Sequence, residues 1–353
     1  MNIKKKIIVG LLLAVSIVTA GFELHGAVTS LTADYPENDI NGYIAWGAGG
    51  ATDTISRTIC VLAERELDTS IILQNKTGAS GGIATEFVER QKPDGYSLLF
   101  NAENPPLYGV MNISNCSYED YYPVLLFGSQ TAVIVVEPDS PYHSITDLID
   151  DAKTRPGEIT IGITGAGGLP FNVAAMLRST SGVEFSQVPF AGDADVLTAI
   201  MGKHVDVSVA NYSAVAELSK AGLVRVLTVM ANEPLKAEPE AEVIGEILPE
   251  YQKYFPWGAF FGVFVDKRCP EKVKQTLTDA FLKAYNSEDF QSYLHDNYVM
   301  QMGLSGDEAS AYIRRWQSVS AWLLQDAGAA EVSPAELGIP RIEELEGGAL
   351  NAN

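Results

Sequence analysis

The chain has 353 residues, with 24 lysines and arginines against 45 aspartates and glutamates, for a formal net charge of −21. A surface that acidic repels nucleic acid and anionic lipid, so neither is expected as a partner, and an anionic ligand would need a local positive potential. Three widely spaced cysteines and four scattered histidines form no metal-ligand or redox spacing, so no metal and no cofactor is expected.

At the start, Lys4, Lys5 and Lys6 precede an apolar run from Ile7 to Ala20 that closes on Val18-Thr19-Ala20. A basic segment, a short apolar core and small residues at the end read as a secretory signal peptide over residues 1–20. The run is shorter than the ~20 apolar residues that span a bilayer, so a membrane anchor is not expected. The remaining chain is long enough for two ordinary domains with sizeable cores. An oxidising compartment permits one disulfide. Cys60 shares a helical face with Ile59 and Ala63 and reads as core, which leaves Cys116 with Cys269 as the pair to consider.

Gly42 to Trp46 reads as a short strand broken by Gly47-Ala48-Gly49-Gly50. Thr52 or Asp53 can cap the next helix, where Ile55, Ile59 and Leu62 share a face. A strand over Ser70 to Leu73 leads to a second glycine turn, Gly78-Ala79-Ser80-Gly81-Gly82, and to a helix with Ile83, Phe87 and Val88. Lys92-Pro93-Asp94-Gly95 then turns into a strand from Tyr96 to Phe100. This alternation implies parallel βαβ units. A long apolar strand, Ala132 to Val136, passes to a helix start at Ser144-Ile145-Thr146-Asp147. The pattern then repeats: strand Ile159 to Ile163, loop Gly165-Ala166-Gly167-Gly168, and a helix from Pro170, a residue suited to a first helical turn. A helix over Asp193 to Met201 and strands over Val205 to Val209 and Val224 to Val229 come next. The acidic, proline-rich stretch from Glu233 to Glu250 reads as a connection, Gly258 to Val265 as a second long strand, and the remainder as helical up to the tail after Glu346.

Two βαβ blocks joined by two long strands describe an α/β protein of two lobes. The expected division is 33–130 with 256–345 for the first lobe, 131–255 for the second, and a flexible tail at 346–353. Each block contains a glycine loop that opens a helix: Trp46 to Asp53 in one and Thr164 to Pro170 in the other. Helix N-termini carry unpaired N–H groups and the positive end of the helix dipole, and glycine lets an anion approach the backbone closely. One such loop alone is more often a tight connection; its repetition in both halves favours a binding role. Gly78-Ala79-Ser80-Gly81-Gly82 matches the Gly-x-Ser-x-Gly elbow of hydrolases, but Gln74 to Thr77 separate it from its strand, so a plain turn is favoured over a Ser80 nucleophile. No dinucleotide fingerprint and no Walker lysine is present. None of His25, His143, His204 and His295 pairs with a cysteine or carboxylate cluster in the sequence.

With these residues in place, the chain resembles the extracytoplasmic solute receptors of tripartite tricarboxylate transporters, sometimes called Bug receptors. The matching blocks are Trp46 to Asp53, Asn75 to Gly82 followed by Pro93-Asp94-Gly95-Tyr96, Gly165 to Gly168, Val188-Pro189-Phe190-Ala191-Gly192, and Lys220 to Arg225. They occur in order over roughly Tyr35 to Trp316. The resemblance implies a type II periplasmic binding protein fold, two Rossmann-like lobes joined by a two-strand hinge, that closes on its ligand. It implies a monomeric periplasmic receptor, not an enzyme, that holds a small carboxylate by backbone amides and delivers it to membrane transporter subunits. Ala45 and Thr77 stand where prolines are common, and Phe171 where histidine is frequent and where the resemblance implies proximity to the ligand. The expected contacts are Trp46, Ala48, Gly49, Gly50, Ala51 and Thr52 on one side and Thr164, Gly165, Ala166, Gly167 and Gly168 on the other. Asn101 and Asn211 at strand ends are expected as side-chain partners. An exported hydrolase using Ser80 and a receptor feeding a sensor are the alternatives.

Overall fold

The computed structural model describes residues 35–190 and 192–345; the expected signal peptide and the expected tail lie outside them. In the first half, β1 (Ile40–Ile44), α1 (Ala51–Leu67), β2 (Ile71–Asn75), α2 (Gly82–Glu89), β3 (Ser97–Asn101) and β4 (Tyr121–Gln130) follow one another. Next come β5 (Ala132–Val136), α3 (Ile145–Thr154), β6 (Thr160–Ile163), α4 (Leu169–Ser181), β7 (Ser186–Pro189), α5 (Asp193–Met201), β8 (Val207–Asn211), α6 (Tyr212–Lys220) and β9 (Arg225–Val229). The chain closes with β10 (Glu242–Val243), α7 (Ile244–Ile247), β11 (Ala259–Asp266), α8 (Glu271–Tyr285), α9 (Glu288–Asp296), β12 (Val299–Leu304) and α10 (Gly306–Asp326).

Two six-stranded sheets result, ordered β12-β4-β11-β3-β1-β2 and β10-β9-β5-β8-β6-β7. Strands β1, β2 and β3 are parallel, as are β6, β7 and β8, so each sheet aims three carboxyl ends the same way. In such sheets the crevice beyond those ends is where ligands bind. The expected helix face of Ile55, Ile59 and Leu62 is buried, and α1 packs on α8 with it. Helix α3 starts where its sequence suggests: Asp147 donates its N–H to Ser144 Oγ at 2.9 Å and its carboxylate accepts the Ser144 N–H at 3.0 Å. Such a reciprocal cap stabilises a helix start by about 1 kcal/mol.

Several features differ from expectation. Strand β4 is buried along nearly all its length, so its sequence shows an apolar run without the alternation that marks a strand. Strand β12 lies within the stretch read as helical, and it pairs with the outer edge of β4. The two apolar strands read as crossovers each belong to one sheet, β5 to the second and β11 to the first. The chain passes from the first sheet to the second at Thr131 and returns between β10 and β11. Cys60, Cys116 and Cys269 are free thiols, so the considered Cys116–Cys269 pair is not formed.

The two crossings touch. A Cβ at Gly258 would lie 2.4 Å from the Gln130 carbonyl oxygen. Trp316 on α10 donates its indole N–H to the Gly258 carbonyl at 2.9 Å, and Trp257 donates to Ser320 Oγ at 2.9 Å, with the two indole planes 5° apart. Helix α10 packs both on β4 of the first sheet and on α4 of the second lobe. Gly258→Ala forces backbone apart at this junction and is expected to lower the unfolding free energy by about 1–3 kcal/mol. Urea denaturation checks this, and an unchanged midpoint would mean that the crossing relaxes freely.

Candidate functional site

The first glycine loop leaves β1 and is exposed from Gly47 to Gly50. Its shape is set from below by Asp53, in the first turn of α1. The Asp53 carboxylate accepts the Gly49 N–H at 2.9 Å, Arg57 Nε–H at 2.8 Å and Asn75 Nδ2–H at 2.8 Å. Burial pushes this carboxyl up, but Arg57, Gly49 and Asn75 together hold it below the usual carboxylate range. Arg57 also donates to Asn75 Oδ1 at 2.7 Å, so the cation nearest the loop is committed to the loop's own support.

This support changes which amides can meet a ligand. Gly49 N–H is taken by Asp53 and Gly50 N–H by the Gly47 carbonyl, whereas that of Ala48 has no partner among the described residues and those of Ala51 and Thr52 lie in the first helical turn, where no intrahelical acceptor exists. In the second loop the Gly168 N–H is taken by the Gly165 carbonyl, while those of Gly165, Ala166, Gly167 and Leu169 are unspent among the described residues. Gly49, Gly165 and Gly167 hold φ of +80°, +103° and +73°, which a side chain would strain. Gly49, Gly50 and Gly168 therefore spend their N–H groups on the shape of the loops themselves. Thr164 sits beneath the second loop, its Oγ1 2.9 Å from where a Gly168 Cβ would stand.

Asn101 is committed to its neighbours. It is fully buried, its Oδ1 accepts Trp46 Nε1–H at 2.9 Å and the Ala102 N–H at 2.8 Å, and its Nδ2 donates to Thr85 Oγ1 at 3.1 Å. Spent in this way, it orients the Trp46 ring and offers little to a ligand. Asn211 differs: at the carboxyl end of β8 and almost fully buried, its Oδ1 has no partner.

The element that meets the second-lobe loop is the turn read from sequence as a plain connection. Ser80 donates to the Ala166 carbonyl at 3.3 Å, and Asn104 Nδ2 donates to the Gly167 carbonyl at 3.1 Å. The same carbonyl accepts Asn172 Nδ2–H from the first turn of α4 at 3.0 Å. Ala79, Ser80 and Gly81 are left-handed in succession, with φ of 49°, 51° and 88°. Each non-glycine costs about 1–2 kcal/mol there, a strain typical of functional segments. Tyr108 helps hold the turn by donating its hydroxyl to the Ser80 carbonyl at 2.7 Å. Sequence supplied no signal for two consecutive left-handed non-glycines, nor for Asn104 reaching across the cleft. Among the described residues, Ser80 bonds a carbonyl and not a histidine. Phe171 lines a groove of about 270 Å³ between α4 and the Ala327–Ala329 segment, together with Phe185 and Arg178.

Two acids occupy this region. Glu103 precedes Asn104, is 5% exposed, and its Oε2 has no partner. Asp193 opens α5 in the other lobe and is half-buried. Burial pushes the Glu103 carboxyl up to about 7, with the negative charge of Asp193 adding to the rise. Burial likewise pushes Asp193 up to about 6, partly offset by the Asn211 amide.

A family model described as tripartite tricarboxylate transporter family receptor matches residues 55–326. A UPF0065 protein of Bordetella pertussis is 27% identical over 306 residues, which cover 86% of this chain and 94% of that protein. Among solved structures, R. palustris Rpa4515 with adipate superposes with a TM-score of 0.75 at 22% identity, covering 84% of this chain and 99% of that one. MatC from Rhodopseudomonas palustris with bound malate gives 0.73 at 20%, covering 83% and 100%.

An unfolded glutamate titrates near ~4.3. Between there and about 7 the folded chain keeps a Glu103 proton that the unfolded chain has released. Stability therefore falls as pH rises through that window, by about 3–4 kcal/mol from this group, and levels above it. Asp193 adds a smaller fall in the same direction. Glu103→Gln is expected to reduce the slope and raise the urea midpoint at pH 8 with little change at pH 4. A parent midpoint that climbs from pH 5 to pH 8 would contradict the placement of this acid.

Proposed function

The chain belongs to the tripartite tricarboxylate transporter receptor family, a family of binding proteins and not of enzymes, and from that membership we propose its specific task. Outside the cytoplasm it captures a small organic carboxylate between its lobes and delivers it to the membrane subunits of a tripartite transporter. The observation that carries this reading is the pair of glycine loops at strand ends with unspent amides. Ala48, Ala51 and Thr52 offer N–H groups from one lobe, and Gly165, Ala166, Gly167 and Leu169 from the other. A hydrogen bond to a charged group contributes roughly 1.5–3 kcal/mol net. Three of them supply much of the roughly 8 kcal/mol of a micromolar complex, so no cationic side chain is required. Proteins of the same fold with malate and with adipate are consistent with a carboxylate ligand.

The division into 33–130 with 256–345 and 131–255, turning about Thr131 and Trp257-Gly258, belongs to this proposal. So do export through residues 1–20 and action as a monomer. Closure brings Ser80 and Asn104 onto the second loop, where their bonds to Ala166 and Gly167 hold the lobes together. Small-angle scattering with and without saturating ligand is expected to show compaction, and an unchanged radius would count against closure.

Gly167→Val would fill the space beside Met111 and strain a residue at φ +73°. Calorimetry is expected to show affinity for the carboxylate reduced at least tenfold, roughly 1.4 kcal/mol, with Arg57→Gln changing it less than about threefold. If Arg57→Gln abolishes binding while Gly167→Val binds normally, a side-chain clamp and not the amides holds the anion.

A further inference from the structure

Two side chains of the first lobe end on carbonyls of the second glycine loop, Ser80 on Ala166 and Asn104 on Gly167. The Gly167 carbonyl is met twice: Asn104 Nδ2–H arrives from the first lobe at 3.1 Å, and Asn172 Nδ2–H from the first turn of α4 at 3.0 Å. A carbonyl oxygen has two lone pairs, so these two donors fill it. Both asparagines are almost fully buried, where water does not readily replace such a bond. Met111 of the first lobe backs the same residue, its Cγ 3.5 Å from where a Gly167 Cβ would stand.

These bonds bear on the direction of the loop's own donors. A peptide group is planar and trans, so fixing a carbonyl also fixes the N–H of the next residue, which points the opposite way. Ser80 thereby sets the unspent Gly167 N–H. Asn104 and Asn172 set the Gly168 N–H, which closes the turn onto the Gly165 carbonyl. Gly165 and Gly167 hold φ of +103° and +73°, and glycine backbone is freer than that of any other residue, so a loop of this kind needs such pins. The two donors on Gly167 differ in origin. Asn172 belongs to the same lobe as the loop, whereas Asn104 lies three residues past β3 of the other sheet. Contacts at Thr131 lie on the axis: Tyr212 donates its N–H to the Thr131 carbonyl at 2.9 Å and packs edge-on against Tyr298, with ring centroids 5.0 Å apart. The second loop follows β6, two strand spacings or roughly 10 Å from the crossing strand β5. A rotation that barely moves the Tyr212–Tyr298 pair therefore parts Asn104 from Gly167.

Resting on the carboxylate-receptor reading, we propose that Asn104 and Ser80 are positioning residues, which touch the second loop and not the ligand and aim its amides only when the lobes meet. In the open form Asn172 alone holds the Gly167 carbonyl, and the loop samples other directions. Closure adds the bonds from Asn104 and Ser80, and the amides are then fixed for the anion. Because both bonds run from protein to protein, they also draw the lobes together before a ligand arrives. Their effect is on binding strength and is the same for every carboxylate that the loop amides hold.

Asn104→Leu and Ser80→Ala remove the two donors one at a time. Amide-nitrogen NMR of the ligand-free protein reads them separately, because a bond to a carbonyl shifts the nitrogen of the same peptide group. Asn104→Leu is expected to move the Gly168 resonance, and Ser80→Ala that of Gly167; resonances that stay in place would overturn the proposal. Small-angle scattering of the ligand-free protein should show a larger radius for Asn104→Leu and an unchanged one for Asn172→Leu, since only the first bond crosses between lobes. Equal radii for the parent and both variants, or expansion by Asn172→Leu alone, would also overturn it. Calorimetry with malate, adipate and citrate is expected to show each one that binds the parent weakened at least tenfold by Asn104→Leu, by factors that agree within about threefold. A loss confined to one carboxylate would make Asn104 a direct ligand contact and overturn the positioning role. If none of the three binds the parent, the carboxylate reading loses its support, while the Gly167 and Gly168 resonances and the radii still decide the role of the two residues.

Discussion

The place where the chain changes sheets twice constrains everything else. Gln130 ends β4 and the chain enters the second sheet one residue later; Gly258 brings it back against the Gln130 carbonyl with no room for a side chain. Because the two crossings are in contact, the lobes share one narrow axis. Trp316 caps the Gly258 carbonyl from α10, and α10 rests on both lobes. In the proposed closure, this joint, held at its axis and backed by a helix, is the pivot. The carboxyl ends of the parallel strands then face one another across the cleft.

Much of this was legible in the sequence. Glycine loops after short apolar strands marked the βαβ units, and their repetition marked two lobes. The capping pattern at Ser144 and the apolar face of α1 were visible because periodicity and capping are local properties of the chain. What was not legible depended on burial from outside the segment. Strand β4 is covered on both faces, so it lacks alternation; β12 is an edge strand defined only by its partner. The site divides in the same way. Loop positions were readable, but the use of individual amides was not, because Asp53 and the Gly47 carbonyl take two of them through local folds that no motif specifies.

Asn101 shows how a strand-end position misleads. Its place at the end of β3 raises the expectation of a ligand contact, and its side chain is engaged by Trp46, Ala102 and Thr85. Two residues farther on, Glu103 is buried with an oxygen unpaired among the described residues. A sequence argument selects residue types that suit an expected anion, and so it favours amides and overlooks acids. The structure ranks side chains by what remains unsatisfied, which is a different criterion, and here it picks out the acid.

Backbone amides have a particular use in a protein of strongly negative charge. They offer fixed partial charges aimed at one point, so they can hold an anion where the distant field is hostile, provided that water is excluded and both loops reach it.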